Sequence, residues 1–323
     1  MTLQEQIRSN RLRSSIVVAG FVVLLLVVAG LIGAIFDLSL GIVALAGAAI
    51  YAIFALIQSR RMIARMTGAH EIDPESLKPL QRLVENVSIA AGLPVTPEVR
   101  IVDDPAPNAF AAGLRPERSY LGVTTGLLRT MPKRELEAVL GHEISHIRHR
   151  DTYLMTMATV FAGVIALIAD IGFRMLIFGG GRSRRGGNAL IAVLAIVGLV
   201  LAPYAALLLR MSLSRRREFL ADAGSAELLD DPEAMALALR RLQLDTTSIK
   251  YADASVAHLW IESPTSRVSD GPTGSSALAG LFDTHPPLQS RIEALEQAGG
   301  FQLPADLGPD RPFIDTADDA ALR

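Results

Sequence analysis

The chain has 323 residues, half of them hydrophobic, and its mean hydropathy is positive. These values argue against an ordinary soluble enzyme and favour insertion into a membrane. The formal net charge is only −2, and the lysines and arginines cluster beside apolar runs. This distribution gives no support to nucleic-acid binding, and we discard that class. Cysteine is absent, so disulfides, thiolate metal sites and cysteine nucleophiles are excluded.

Two uncharged apolar runs, residues 16–36 and 40–57, open the chain, and each is close to the roughly 20 residues that span a bilayer as a helix. The very short connection between them predicts a hairpin with both ends on one side of the membrane. Arginines flank both ends, and positive charge beside spans marks the cytoplasmic side. These arginines are Arg8, Arg11, Arg13, Arg60, Arg61 and Arg65. A cleaved signal peptide is the alternative for the first run, but its length and the immediate second run argue against it.

The composition becomes mixed and globular before residue 70 and remains so to residue 150. Asp73 and Pro74 predict the start of a helix, and the Gly-Leu-Pro sequence at 92–94 predicts its end. Short strand-like segments follow, and they predict a small sheet. These segments cover residues 99–102, 108–113 and 120–128.

Two further apolar stretches, residues 153–178 and 189–209, predict a second membrane hairpin, joined by a glycine- and arginine-rich loop at 179–187. Asp170 and Arg174 lie four residues apart inside the first of these stretches. Charges inside a membrane span are functional candidates by default, but this pair could neutralise itself near the interface. A shallow hairpin is therefore the alternative to one that fully spans the bilayer.

The chain becomes polar again after residue 210, with helices predicted at 231–242 and 288–295. The last residues are rich in Pro, Asp and Ala, which indicates a loosely ordered tail. The expected fold class is a mainly α membrane protein with two transmembrane hairpins and an α+β domain that contains a small sheet. The predicted division is a first hairpin at 1–66, a globular domain in two parts at 67–150 and 211–300, a second hairpin at 151–210 and a flexible tail at 301–323.

A helix predicted from Pro132 carries the sharpest signal, His142-Glu143-Ile144-Ser145-His146. Histidines four residues apart project from one face of a helix and can bind a single zinc ion. Glu143 occupies a neighbouring position, from which it can take a proton from a water at the metal. The alternative is that the two histidines only bond carboxylates or cap a buried surface, and this alternative explains the position of Glu143 poorly.

A catalytic zinc ion needs a third protein ligand and one open position. Glu218 is our candidate, because Glu218 and Asp222 are again four residues apart. One carboxylate can bind the metal while the other accepts an N–H bond from a ligand histidine. The alternatives are a charged helix without a metal, or His149 or His285 as third ligand. His149 lies among arginines that suit a membrane interface, and His285 precedes two prolines, where it could bond substrate instead.

This order of segments resembles the HtpX group of bacterial membrane zinc metallopeptidases, which are more distantly related to the CAAX prenyl proteases of eukaryotes. In that group an HExxH helix is followed by two apolar segments and an ExxxD helix, and the same order is found here from the first hairpin to Arg291. The resemblance implies a zincin-like α+β metalloprotease domain that holds one zinc ion. It assigns the metal ligands as His142, His146 and Glu218, with Asp222 as a supporting residue.

The resemblance also implies a substrate site on one predicted strand, along which an extended peptide adds as a further strand. Its residues are Asn108, Ala109, Phe110 and Ala111. Asn108 and His285 would then help to hold the oxyanion, with Arg291 supporting His285. Without the resemblance, Asn108 would be interpreted as a turn residue and Arg291 as a solvated helix charge.

Two further segments bear on the resemblance. Residues 258–264 also resemble the HtpX group, but no mechanism follows from them, and burial of Trp260, the only tryptophan, is the simplest explanation. The arginine-rich loop at 182–185 departs from the group and leaves the topology of the second hairpin open.

These features predict a membrane-anchored zinc endopeptidase in the bacterial inner membrane, with its active site on the cytoplasmic side. The resemblance implies quality control, so the expected partners are the lipid bilayer and polypeptide substrates, above all membrane or misfolded proteins. An intramembrane-cleaving protease is disfavoured, because charged residues open the histidine helix, namely Lys133, Arg134, Glu135 and Glu137. A membrane scaffold or transporter that retains a metal site without catalysis is the alternative from another class. The sequence does not determine the oligomeric state.

Overall fold

The computed structural model of the chain describes residues 3–72, 77–178, 189–211, 215–250, 256–262, 285–304, 307 and 311–314. Helices predominate, as the sequence predicts. They are α1 (Leu3–Ile35), α2 (Leu38–Ile57), α3 (Ser59–Thr67), α4 (Lys78–Ala90), α5 (Thr125–Thr130), α6 (Lys133–Arg148), α7 (Asp151–Phe178), α8 (Ala189–Met211), α9 (Arg215–Leu229), α10 (Pro232–Leu244) and α11 (Leu288–Gly299). The strands are β1 (Ala69–Glu71), β2 (Glu98–Val102), β3 (Ala109–Ala112) and β4 (Tyr120–Thr124).

The chain divides into two units. The first, here called the apolar unit, comprises residues 1–59 and 154–213. The second, here called the mixed unit, comprises residues 60–153 and 214–323. The mixed unit contains the sheet and both motifs, although its two parts are separated in sequence by the second pair of apolar helices.

The apolar unit begins with the predicted hairpin of α1 and α2. Asp37 starts α2, because its carboxylate accepts a hydrogen bond of 2.7 Å from the backbone N–H of Ser39. The two helices approach closely at Gly41, where an added Cβ would lie 2.8 Å from the carbonyl oxygen of Ala29. Many large apolar side chains of α1 and α2 remain exposed, among them Val23, Ile42 and Ile53. Exposed apolar surface on this scale is what lipid covers in a membrane protein.

Within the described residues, three helical stretches are long and apolar enough to cross a membrane, namely Ser15–Ile35, Leu38–Ile57 and Asp151–Met175. In α8 the described apolar stretch, Ile196–Leu209, is shorter. The second hairpin as a full span therefore stays a prediction, and its loop at 179–187 lies outside the described residues. Asp170 and Arg174 pair at 2.7 Å in an exposed part of α7, as expected for a pair that neutralises itself.

The mixed unit contains a four-stranded sheet in the order β1-β2-β4-β3. Strands β2 and β4 are parallel, and the other two pairings are antiparallel, so β3 forms one edge. The sequence predicted β2 and β3 but not β1. The predicted strand at 120–128 is wrong beyond Thr124, because the Thr124 hydroxyl accepts a hydrogen bond from Leu127 N–H and starts α5. The helix start predicted at Asp73 lies outside the described residues.

Helices α4, α6, α10 and α11 share the apolar core of the mixed unit with the sheet. Two ion pairs connect the charged start of α6 to α10. Arg241 of α10 donates two hydrogen bonds to Glu135, and Arg134 donates to Asp231, the N-cap residue of α10. The C-terminal segment differs from the expected loose tail at residues 313 and 314. There the N–H groups bond the carbonyls of Met131 and Leu128, and the side chain of residue 314 is buried.

Candidate active site

Helix α6 brings both motif histidines to one point. The helix forms because apolar residues recur at helical spacing and are buried in the core, namely Leu136, Val139, Leu140, Ile144 and Ile147. His142 and His146 are buried on the same helix, and their Nε2 atoms lie 3.1 Å apart. The two rings are perpendicular, and the short distance between their Nε2 atoms brings both nitrogens to a shared space.

Helix α9 adds a carboxylate to this pair. Glu218 lies in the first turn of α9 and is 1% exposed. Its Oε2 lies 3.6 Å from Nε2 of His142, and its Oε1 lies 3.5 Å from Nε2 of His146. Among the described residues, these three form the group whose ligand atoms converge closely enough to hold a metal ion.

The close approach of α6 and α9 depends on small residues on both helices. An added Cβ on Gly141 would lie 2.7 Å from Oγ of Ser225, and one on Gly224 would lie 2.7 Å from Oγ of Ser145. Ser225 also donates a 2.6 Å hydrogen bond to the carbonyl of Ala138. Each glycine therefore faces a serine of the other helix, and this packing lets Glu218 reach the imidazoles.

The geometry of the three groups fits a tetrahedral metal ion. Ligands at 2.0–2.1 Å with tetrahedral angles lie about 3.3–3.4 Å from one another. The two Nε2 atoms are 3.1 Å apart, and each lies 3.5–3.6 Å from a different oxygen of Glu218, which is close to that value. Both oxygens of Glu218 are buried without a well-aligned hydrogen bond from the described residues, although Nδ1 of His285 and Nη1 of Arg291 lie 3.2 and 3.3 Å from Oε2. Buried carboxylate oxygens without hydrogen bonds are costly, and a bound cation would satisfy them.

The other ring nitrogen of His142 faces Asp222, one turn after Glu218 on α9. Its Nδ1 lies 2.9 Å from Oδ1 of Asp222. Burial alone would lower the pKa of His142, but the bonds to Asp222 and Glu218 raise it to about 9. Arg291 in turn donates to both Asp222 oxygens, at 2.6 and 2.8 Å. Burial opposes ionisation of Asp222, yet Arg291 keeps the pKa of Asp222 below its ordinary value.

His146 has a matching partner that sequence reasoning missed. Its Nδ1 lies 3.2 Å from Oδ2 of Asp151, whose Oδ1 lies 3.5 Å from Nε of Arg217. The backbone of Arg150 has a φ of 62°, and this left-handed residue lies between α6 and the start of α7 at Asp151. Nothing in the sequence pattern indicates that residue 150 would take this conformation. The only available signal was an acidic residue shortly after the motif.

Glu143 is buried in the same centre without a hydrogen bond. Both of its oxygens lack a partner among the described residues, and the side chain is 1% exposed. Burial raises the pKa of Glu143, and the nearby His142 and His146 only partly oppose the shift. A carboxyl group with a raised pKa suits proton transfer near neutral pH.

His285 and Arg291 meet at the carboxylate of Glu218. Nδ1 of His285 lies 3.2 Å and Nη1 of Arg291 lies 3.3 Å from Oε2 of Glu218. Burial alone would raise the pKa of Glu218, but His285, His142 and Arg291 hold it well below its ordinary value. His149, the other alternative ligand, ends α6 as its C-cap and is not part of the convergent group.

The start of strand β3 is paired with the chain itself. The side-chain amide of Asn108 donates to the carbonyl of Glu262 at 2.8 Å, and its Oδ1 accepts from Glu262 N–H at 3.3 Å. The N–H of Ile261 donates to the carbonyl of Ala109 at 2.9 Å. The carbonyl of Ile261 accepts from Nη1 of Arg291 at 3.0 Å, which connects this strand edge to the metal-binding group.

The aromatic residues beside this contact pack tightly. Phe110 and Trp260 form an antiparallel bridge, and their ring centroids are 4.8 Å apart. Trp260 is fully buried, in agreement with the simplest explanation of its segment. Thr124 N–H bonds the carbonyl of Asn108, so alternation along β3 directs the backbone groups of Ala109 and Ala111 to the outer edge.

Comparison with known proteins identifies the family. Residues 74–298, more than half of the chain, match the sequence model of peptidase family M48. The chain belongs to peptidase family M48. As a member of that family with apolar helices long enough to cross a bilayer, it is a membrane metalloprotease.

Relatives within the M48 family cover nearly the whole chain. A protease HtpX homolog of Lactobacillus helveticus (strain DPC 4571) is 39% identical over 306 residues, which is 91% of this chain and 99% of the relative. Another, from Listeria monocytogenes serotype 4a (strain HCC23), is 37% identical over 309 residues, with the same coverage. The resemblance to the HtpX group that the sequence motifs indicated is confirmed.

One solved structure similar to this M48 chain is the crystal structure of S. mikatae Ste24p. It is 18% identical in sequence, and the match covers 76% of this chain and 55% of that chain with a TM-score of 0.45.

Proposed function

We propose that this chain is a zinc-dependent endopeptidase that cleaves membrane or misfolded proteins on the cytoplasmic side of the bacterial inner membrane. The observation that carries the proposal is the convergence of His142, His146 and Glu218 beside the carboxylate of Glu143, which has no hydrogen-bond partner in the part of the chain that the structure describes. Two imidazoles and a carboxylate, with a fourth position for water or substrate, are a ligand set of catalytic zinc sites. Imidazole ligands also favour zinc over magnesium or calcium.

In the proposed mechanism, a zinc ion bound by these three residues would polarise the scissile carbonyl and lower the pKa of the attacking water. Glu143 takes a proton from that water and later delivers it to the leaving amine nitrogen. His285 donates the N–H of its Nε2 to the developing oxyanion, because Nδ1 faces Glu218 and Nε2 is buried without a hydrogen-bond partner in the described part of the chain. Arg291 stabilises the centre through Asp222 and Glu218.

We place the substrate along the outer edge of β3. Strand alternation directs the backbone groups of Ala111 outward, and an extended peptide would pair there as a further strand by displacing the Trp260 segment, which bridges Phe110 on the same edge. Ile261 bonds the carbonyl of Ala109, and Asn108 bonds Glu262, so the chain's own segment covers the beginning of this edge. The predicted oxyanion role of Asn108 would require release of its amide from Glu262.

The proposed orientation rests on charge. Arginines flank both ends of the first hairpin, and such flanks are retained on the cytoplasmic side. A protease unit that is continuous with these spans would meet the loops and exposed segments of membrane proteins first. This supports membrane proteins as the principal substrate class.

The decisive experiment compares zinc content and proteolysis in the detergent-purified full chain. In Glu143→Gln we expect zinc to be retained and cleavage of casein or a membrane protein to fall by about 100-fold or more, because general-base catalysis contributes about 10²–10⁴-fold. Glu137→Gln, a partly buried glutamate earlier on the same helix, is the matched control and should cleave normally. Normal cleavage by Glu143→Gln would contradict the mechanism, and full biological activity of that variant would favour a non-catalytic scaffold or transporter.

A further inference from the structure

The buried acid behind His146 has no role in the proposed mechanism. Asp151 lies between His146 and Arg217, with N···O distances of 3.2 Å to the imidazole and 3.5 Å to the guanidinium. All three side chains are at most 7% exposed. Burying ionisable groups at these positions is costly unless each has an oppositely charged or hydrogen-bonded partner, and the order of the three groups provides such partners.

The same order of groups lies behind the other imidazole. His142 contacts Asp222 through Nδ1, and Asp222 is bonded by Arg291. Each imidazole of the metal-binding group therefore has a carboxylate at Nδ1, and each carboxylate faces a buried arginine. The two carboxylates come from different helices, Asp151 from the start of α7 and Asp222 from α9, so the repeated arrangement is not a consequence of one local motif.

We propose that Asp151 is a positioning residue for His146 and that Arg217 holds Asp151 in place, an inference that rests on the proposed zinc site. By accepting the Nδ1–H of His146, Asp151 fixes the tautomer whose Nε2 is unprotonated and free to bind metal. Arg217 is the residue before Glu218 on α9. One turn of α9 thus supplies the carboxylate ligand and also supports the second imidazole.

The position of Asp151 connects the metal site with a candidate membrane span. Asp151 is the first residue of α7, and the stretch Asp151–Met175 is long and apolar enough to cross a bilayer. The left-handed backbone at Arg150 separates α6 from α7, and Asp151 contacts His146 only five residues earlier. The carboxylate that orients His146 therefore belongs to the first turn of this helix. A single residue, Asp151, both begins α7 and contacts the metal-binding group.

The test is the zinc dissociation constant of the detergent-purified full chain, measured by competition with a chelator. We expect Asp151→Ala to weaken zinc binding by about 10–100-fold, the usual loss when a residue that orients a metal ligand is removed. Asp151→Asn should lose less, because its amide oxygen can still accept the Nδ1–H of His146. The matched control is Asp170→Asn, an exposed carboxylate on the same helix, and it should bind zinc like the wild type.

Arg217 is tested through a double-mutant cycle. Arg217→Gln should weaken zinc binding less than Asp151→Ala, and should add little to the loss already caused by Asp151→Ala, because both act on His146 through one contact. The visible spectrum of the cobalt-substituted protein provides a second readout, since a reoriented imidazole changes the coordination geometry. We expect Asp151→Ala to alter this spectrum and Asp170→Asn to preserve it.

The outcomes separate this inference from the proposed function. If the wild type binds zinc and Asp151→Ala binds it within twofold as tightly, the positioning role is overturned while the proposed function stands. If the wild type binds no zinc, both are overturned. If Asp151→Ala fails to fold, as its melting curve without metal would show, Arg217→Gln decides, and zinc affinity and a cobalt spectrum unchanged from the wild type in that variant would overturn the proposal.

Discussion

At the scale of single residues, buried charge distinguishes this centre from an ordinary core. Glu218, Asp222 and Arg291 are almost completely buried, and each contacts an oppositely charged or protonatable group. Glu143 is equally buried but its oxygens have no hydrogen bond among the described residues. A buried carboxylate without hydrogen bonds destabilises the fold, so its presence beside two imidazoles indicates a functional role.

The sequence could predict some of these residues and not others. A spacing of four residues fixes the face of a helix, so His142 with His146, and Glu218 with Asp222, could each be paired from their spacing alone. Asp151 could not be predicted, because its contact depends on the left-handed backbone of Arg150. Spacing along the chain carries no information about such a turn.

Removal of the carboxylate ligand provides a prediction at this scale. Glu218→Ala should weaken zinc binding by more than the roughly 10–100-fold typical of a supporting residue, because a ligand is lost outright. The substitution also leaves His285 and Arg291 without the carboxylate oxygen that both contact. Zinc content after gel filtration measures the effect. Glu227→Ala, an exposed glutamate on the same helix, is the control, and equal zinc retention in the two variants would exclude Glu218 as a ligand.

At the scale of elements, the site depends on how closely α6 and α9 pack. Apolar periodicity predicted α6 as a helix, but it could not show that Gly141 and Gly224 each face a serine of the other helix. Such pairings become visible only when two segments that are distant in sequence are placed side by side. The misassigned strand after Thr124 has a related cause, because a side-chain cap overrode the strand-like composition of residues 125–128.

A methyl group at the contact between these helices tests the packing. Gly141→Ala would place its Cβ 2.7 Å from Oγ of Ser225, so either the Ser225 hydroxyl must leave its hydrogen bond to Ala138 or the helices must shift apart. We expect a loss of stability of about 1–3 kcal/mol, as is usual for overpacking, together with weaker zinc binding. Melting curves and zinc titration measure the two effects.

The control for this prediction is another helical glycine. Gly163 on α7 has no atom within 4 Å of an added Cβ, so Gly163→Ala should be neutral or slightly stabilising. The double variant Gly141→Ala with Ser225→Gly removes the clash and should recover zinc binding in part. If Gly141→Ala behaves like Gly163→Ala, the close approach of α6 and α9 is not required for the site.

At the scale of the whole molecule, composition predicted the membrane character and the motifs predicted the family. Long apolar runs are visible in sequence because lipid imposes a minimum length on a spanning helix, and the three candidate spans agree with that expectation. The small sheet was only partly predictable, because β1 is a three-residue strand whose pairing with β2 carries no local signal. The direction of insertion rests on the flanking arginines alone.

The absence of cysteine allows a direct test of that direction. Leu38, at the start of α2, and Ile89, on α4, are 72% and 69% exposed, so a cysteine at either position can react with a thiol reagent. With a membrane-impermeant maleimide on intact protoplasts, we expect Leu38→Cys to be labelled and Ile89→Cys to be labelled only after the membrane is permeabilised. The native chain, which has no thiol, gives the background. Arginine-flanked hairpins keep both of their ends on the cytoplasmic side, so the proposed topology puts Ile89 inside the cell. Labelling of Ile89→Cys in intact protoplasts would instead place the metal-binding unit outside the cell.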